Sequence, residues 1–122
     1  MDTFEILSQL CSAAGVSGAE GSAAEAAAKL LEEYGEVTLD NALGSVICKV
    51  GSWEDGKPVM LLDAHIDEIG MIVTYITEDG FLKISGCGGL DTRLLLAQQV
   101  TVYGKEKLTG IVTSTPPHLE KD

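Results

Sequence analysis

The apolar positions of this chain change period once, from helical spacing to alternation. Phe4, Leu7, Leu10 and Cys11 lie on one face of a helix that Asp2-Thr3 can cap. Gly15-Val16-Ser17-Gly18 interrupts that helix, and Ser17 with Glu20 has the capping-box spacing that opens a second one. Its inward stripe is Ala23, Ala27, Leu30, Leu31 and Tyr34, with Gly35 as the stop. The alanines suit close packing against a sheet and are good helix formers in their own right.

After Gly35 the pattern alternates. Val37-Thr38-Leu39 and Ser45 to Val50 read as strands joined by the turn Asp40 to Gly44. Gly51 to Lys57 is a polar turn, and the apolar run Val59-Met60-Leu61-Leu62 behind it predicts a buried strand. Helices on one side with such a strand in the middle indicate an α/β layer. From there the chain reads as β. Met71 to Thr77 and Phe81 to Ser85 flank the hairpin signal Glu78-Asp79-Gly80, and Gln99 to Tyr103 and Lys107 to Val112 flank another tight turn. Short strands at this spacing without a helix suggest a small barrel or sandwich. A module boundary is therefore expected near Ile69, dividing the chain into residues 1–68 and 69–122.

Size and composition narrow the picture. The 122 residues make one ordinary domain or pieces of two. A net charge of −11 argues against nucleic acid, because phosphate binding needs a basic face. The acidic residues are spread along the chain, as on a solvated surface. Cys11, Cys48 and Cys87 are an odd set with no C-x-x-C spacing, which fits reduced thiols better than a disulfide frame or zinc knuckle. The start lacks the basic and apolar regions of a signal peptide, and no apolar run approaches the ~20 residues of a membrane span. A soluble, cytoplasmic protein is expected.

Candidate chemistry centres on Ala64-His65-Ile66-Asp67-Glu68 at the end of the apolar run. In an extended chain residues two apart project to the same side, so the His65 ring and the Asp67 carboxylate become neighbours. A neutral imidazole beside an acid suits a metal ligand and the partner that orients it. From spacing alone, a strand-end histidine beside a solvated acid is the commoner arrangement. Glu68 is expected to be structural. His118 follows the diproline Pro116-Pro117 and alone reads as a loop histidine; with His65 and Asp67 or Glu68 it would make a mononuclear site only if the two histidines converged. Gly86-Cys87-Gly88-Gly89 lacks the pattern of a phosphate cradle and reads as a turn or bulge, with Cys87 a structural thiol. Ser45 and Ser114 have no context for serine catalysis.

Several of these pieces, taken in order, resemble the N-terminal half of the glutamyl/tetrahedral aminopeptidase family of co-catalytic metallopeptidases. They are Val16 to Glu20, Asp40 to Gly44, Leu61 to Met71, Gly88 to Asp91, Gln99-Val100, and Gly110-Ile111-Val112 followed by Pro116 to Leu119. The resemblance implies an incomplete three-layer α/β/α metallopeptidase domain, interrupted after the His-x-Asp strand by the first strands of an inserted β-barrel used in dimerisation. It implies two divalent metal ions, zinc or cobalt, and removal of N-terminal residues from peptides by metal-activated water. On the matching positions His65 looks like a metal ligand and Asp67 like the acid that orients it and supports catalysis. Ser45 stands where the family usually has Asn. The bridging aspartate, the Glu-Glu pair and the last Asp and His ligands of the family fall after Asp122, so the 122 residues alone are expected to be inactive. A rival reading is a non-catalytic remnant or a self-associating interaction module.

Overall fold

The computed structural model describes residues 2–40 and 42–115. They fold as two compact units, Met1–Gly88 and Gly89–Asp122. The hairpin that follows Ile69 is grouped with the first unit, and Gly70 at its start lies against the Val16 side chain.

Helix α1 covers Thr3–Ser12, and its start is set locally. The Asp2 carboxylate accepts from the Glu5 backbone N–H at 2.8 Å, while the Asp2 N–H donates to Glu5 Oε2 at 3.1 Å. That reciprocal pair satisfies donors the first turn would otherwise leave free. Its expected apolar face is largely uncovered, with Phe4 and Leu7 exposed.

Helix α2 covers Gly21–Leu31 and begins differently from the sequence expectation. Glu20 occupies the cap position without a side-chain cap bond, and its Oε1 accepts from the Gly18 N–H at 2.6 Å. The Ser17–Glu20 capping box does not form. A helix that starts at Gly21 leaves Ser17 about a turn too early to reach the first free N–H groups, and Gly18, at φ 88°, turns the chain in between.

The interior among the described residues is formed by Ala23, Ala24, Ala27 and Ala28 of α2. These small side chains let α2 lie close to α1 and to both strands of the first hairpin. Leu30 and Leu31 are half-buried and Tyr34 is exposed, so the inward stripe is tighter and more N-terminal than the spacing predicts. Gly35 is not the helix stop. It lies against the Lys49 carbonyl, where any Cβ would collide with backbone.

Strands β1 (Glu36–Leu39) and β2 (Val46–Lys49) pair antiparallel, with Val37 opposite Cys48. Asp40 closes the turn: its carboxylate accepts from the N–H groups of Ala42 at 3.0 Å and Leu43 at 3.2 Å, and Gly44 takes φ 70°. The predicted buried strand Val59–Leu62 is a correction. Residues 58–67 have no regular secondary structure, and Leu61 and Leu62 are 85% and 88% exposed. A strand exists only where a neighbour takes up its N–H and C=O groups, and among the described residues none lies beside this run.

Strands β3 (Gly70–Ile76) and β4 (Leu82–Cys87) form a second antiparallel hairpin, bulged at Thr74, with Gly80 at φ 85° in its turn. In the second unit, the short 3-10 helix Thr92–Leu94 precedes β5 (Gln99–Tyr103) and β6 (Lys107–Ile111), again antiparallel. The chain is thus α/β, with two α-helices, one 3-10 helix and three separate two-stranded sheets among the described residues. No described helix is long and apolar enough to cross a membrane.

Candidate metal-ligand site around His65

The loop between α1 and α2 is tied to the segment 65–70 by a small set of contacts. Val16 and Glu68 form an isolated parallel β-bridge. The Glu68 N–H donates to the Gly15 carbonyl at 2.7 Å, and Glu68 Oε1 accepts from the Gly15 N–H at 3.2 Å. Glu68 is thus structural, as its position suggested. Two glycines permit the approach: a Cβ on Gly15 would press on Ala23 and the Ile66 carbonyl, and one on Gly70 would collide with the Val16 side chain.

This clamp sets Ser17 beside Asp67. The Ser17 hydroxyl donates to Asp67 Oδ2 at 2.5 Å. On the other carboxylate oxygen, Oδ1, lies His65 Nδ1 at 3.0 Å; the same nitrogen is 3.2 Å from the Asp67 carbonyl. Both neighbours of Nδ1 are acceptors, so the proton belongs there and Nε2 keeps its lone pair. The His65 side chain is 86% exposed, leaving Nε2 open to a ligand. The hydrogen bond from Ser17, and after it that from His65, holds the Asp67 carboxyl below the usual carboxylate value.

His65 and Asp67 are neighbours, as their two-residue spacing predicts, although the run before them is not a strand. Ser17 is the member that sequence reasoning assigned to the wrong partner. The signal was present in Val16-Ser17-Gly18, but capping spacing explained it equally well.

A groove of about 340 Å³ lies over the pair, lined by Leu7, Leu10 and Cys11 of α1 together with Ala23 and segment 65–68. A larger hollow of about 470 Å³, beside Gly35, Lys49 and Trp53, touches neither His65 nor Asp67. Its lining offers no histidine, thiol or paired acids, so the smaller groove is the chemically relevant one.

Among the described residues no three His, Cys, Asp or Glu side chains converge to hold an ion. Zinc takes three or four protein ligands in its usual sites, so these residues fit one ligand and its orienting acid and do not make a whole metal site. His118 lies outside the described residues, and with it the mononuclear arrangement that needs its convergence with His65. Gly88, at φ 80°, turns the chain after β4 against Ile69, in keeping with a turn there. Cys11, Cys48 and Cys87 are free thiols.

Comparison with known proteins gives this geometry a context. The family model for M42 glutamyl aminopeptidase matches residues 44–122. The structure is similar to that of the TET aminopeptidase from the marine sediment archaeon Thaumarchaeota archaeon SCGC AB-539-E09, with a TM-score of 0.83 and 34% identity over 97% of this chain and 33% of that one. It is also similar to PhTET1-12s, a dodecamer in the asymmetric unit, with a TM-score of 0.80 and 34% identity over 99% of this chain and 36% of the other. A lysyl aminopeptidase of Pyrococcus furiosus is 28% identical over 100% of this chain and 35% of its own length. The chain spans about a third of the length of these relatives.

Proposed function

The chain belongs to the M42 glutamyl aminopeptidase family, and from that premise we propose that it is the N-terminal part of a metal-dependent aminopeptidase that releases N-terminal residues from peptides. The observation that carries the reading is the His65–Asp67–Ser17 cluster, whose outer imidazole nitrogen is left open. His65 is the proposed metal ligand through Nε2. Asp67 is the proposed catalytic-site acid that keeps the proton on Nδ1 and holds the ring. Two divalent ions, zinc or cobalt, would when bound supply polarisation of the scissile carbonyl and activation of water. The remaining ligands would be supplied by the parts of such an enzyme that this segment does not cover, since it spans about a third of its relatives' length.

The proposed architecture follows. Residues 1–68 are part of a three-layer α/β/α catalytic domain. Residues 69–122 open an inserted β-barrel through which copies associate. The exposure of the apolar run and the succession of hairpins after Ile69 support this, and the dodecamer of PhTET1-12s supports association. Three free thiols fit a cytoplasmic setting.

The test is release of N-terminal residues from a peptide with a free amino end and from its acetylated copy. The enzyme that carries this segment with its remaining ligands should process only the former and lose activity in His65→Ala. Turnover unchanged by His65→Ala would return His65 to an ordinary surface histidine.

A further inference from the structure

We infer that Ser17 is a positioning residue: its hydroxyl locks the Asp67 carboxylate on one side so that the other side stays on His65 Nδ1 and Nε2 faces outward. This deepens the proposed function and rests on the reading of His65 as a ligand.

A carboxylate behind a histidine can turn about its own axis, and each turn loosens the ring it orients. Here each oxygen has a distinct partner, Ser17 Oγ on Oδ2 at 2.5 Å and His65 Nδ1 on Oδ1 at 3.0 Å. Rotation would break both bonds at once. The hydroxyl is itself held, since Val16 is bridged to Glu68 and Gly15 is bonded to Glu68 on both of its backbone groups. Gly18 at φ 88° then carries the chain away toward α2. Ser17 does not cap that helix: Glu20 occupies the cap position, and the Ser17 hydroxyl is engaged with Asp67. The groups that face Asp67 are thus His65, Ser17 and its own backbone, and the hydroxyl brings the α1–α2 loop onto the carboxylate itself.

The experiment reads the tautomer of the His65 ring by ¹⁵N NMR on the 122-residue chain, at a pH where the ring is neutral. The wild-type chain should hold the proton on Nδ1. Ser17→Ala should give a mixture of tautomers, and Ser17→Thr, which restores a hydroxyl, should return the wild-type spectrum. Ser17→Cys, close in size and a weak donor, gives the same reading if alanine disturbs the turn. Asp67→Asn separates the two levels of the argument. A tautomer moved by Asp67→Asn and untouched by every Ser17 variant overturns the role of Ser17 and leaves that of Asp67. A tautomer untouched by all of them overturns both, since the Asp67 backbone carbonyl would then hold the ring by itself. In the enzyme with its full ligand set, Ser17→Ala should lower kcat roughly tenfold, the lower end for a residue behind a ligand, with KM unchanged and Ser17→Thr restoring it. Equal kcat in Ser17→Ala overturns the inference; absence of any peptide hydrolysis overturns the proposed function and not the tautomer result.

Discussion

Ser17 and Asp67 stand 50 residues apart and share a hydrogen bond of 2.5 Å, one of the contacts that join the α1–α2 loop to the candidate site. The donor sits in a loop and the acceptor in a segment without regular structure. Neither position is prescribed by a helix or strand of its own. Their meeting depends on the Val16–Glu68 bridge and on two glycines small enough to let the segments touch. The chemistry of His65 is therefore coupled to packing at Gly15 and Gly70 as well as to its neighbour Asp67.

Metal binding and turnover should separate His65 from Asp67. The 122-residue chain is expected to bind zinc weakly, because no three ligating side chains converge among the described residues. Calorimetry resolving two tight sites per chain would contradict this. In the enzyme with its full ligand set, Asp67→Asn should keep the fold and lose roughly 10- to 100-fold in activity or metal affinity. A wild-type rate for that variant would make Asp67 a solvated surface acid.

The clamp has a steric test. Gly70→Ala places a Cβ against both methyl groups of Val16, so it should destabilise the first unit by about 1–3 kcal/mol, the usual range for overpacking. In a Val16→Ala background the same change should cost less, because the obstructing methyls are gone. Denaturant unfolding of the four variants measures the coupling. Additive effects would show that the two side chains do not compete for space.

Association should follow from the uncovered apolar run. Val59, Leu61 and Leu62 are 62%, 85% and 88% exposed, and exposed patches of this kind mark interfaces or aggregation sites. The chain is expected to sediment as a dimer or larger species at micromolar concentration, and Leu61→Asp should shift it toward monomer. Added salt should strengthen association by screening the net charge of −11. A well-folded monomer at all salt concentrations would favour an autonomous small domain.

The second unit carries a pH-sensitive contact. Asp91 accepts from Arg93 Nε at 2.9 Å and Nη2 at 2.7 Å, and these bonds, with the Arg93 backbone N–H, hold its carboxyl below the usual value. A depressed folded-state pKa means the contribution is present above the unfolded carboxylate pKa and is lost as pH falls through the lower folded value. In a carboxyl titration Asp91 should have its midpoint under 3.8, and Arg93→Gln should raise it. An unchanged midpoint in Arg93→Gln would show that the guanidinium does not hold the carboxylate in solution.

Legibility in the sequence tracked the range of the interaction that decides each feature. The start of α1 rests on Asp2 and Glu5, three residues apart, and the first turn rests on Asp40 with Gly44. Such contacts involve only near neighbours in the chain, so residue types and spacing suffice to read them. The same holds for the hairpins around Gly80 and between Tyr103 and Lys107. His65 and Asp67, two residues apart, were legible as neighbours for the same reason, while the role proposed for them came from the ordered resemblance.

The amino-acid pattern by itself determined the two helices, the three hairpins and the pairing of His65 with Asp67, because each is closed by groups a few residues apart. Tertiary structure alone decided that Ser17 serves Asp67 instead of α2, that α2 buries Ala24 and Ala28 rather than Tyr34, and that Val59–Leu62 is not a strand here. A hydroxyl donates to whichever acceptor the fold brings within reach, and an apolar run becomes a strand only beside another. Both outcomes depend on partners that spacing along the chain does not encode.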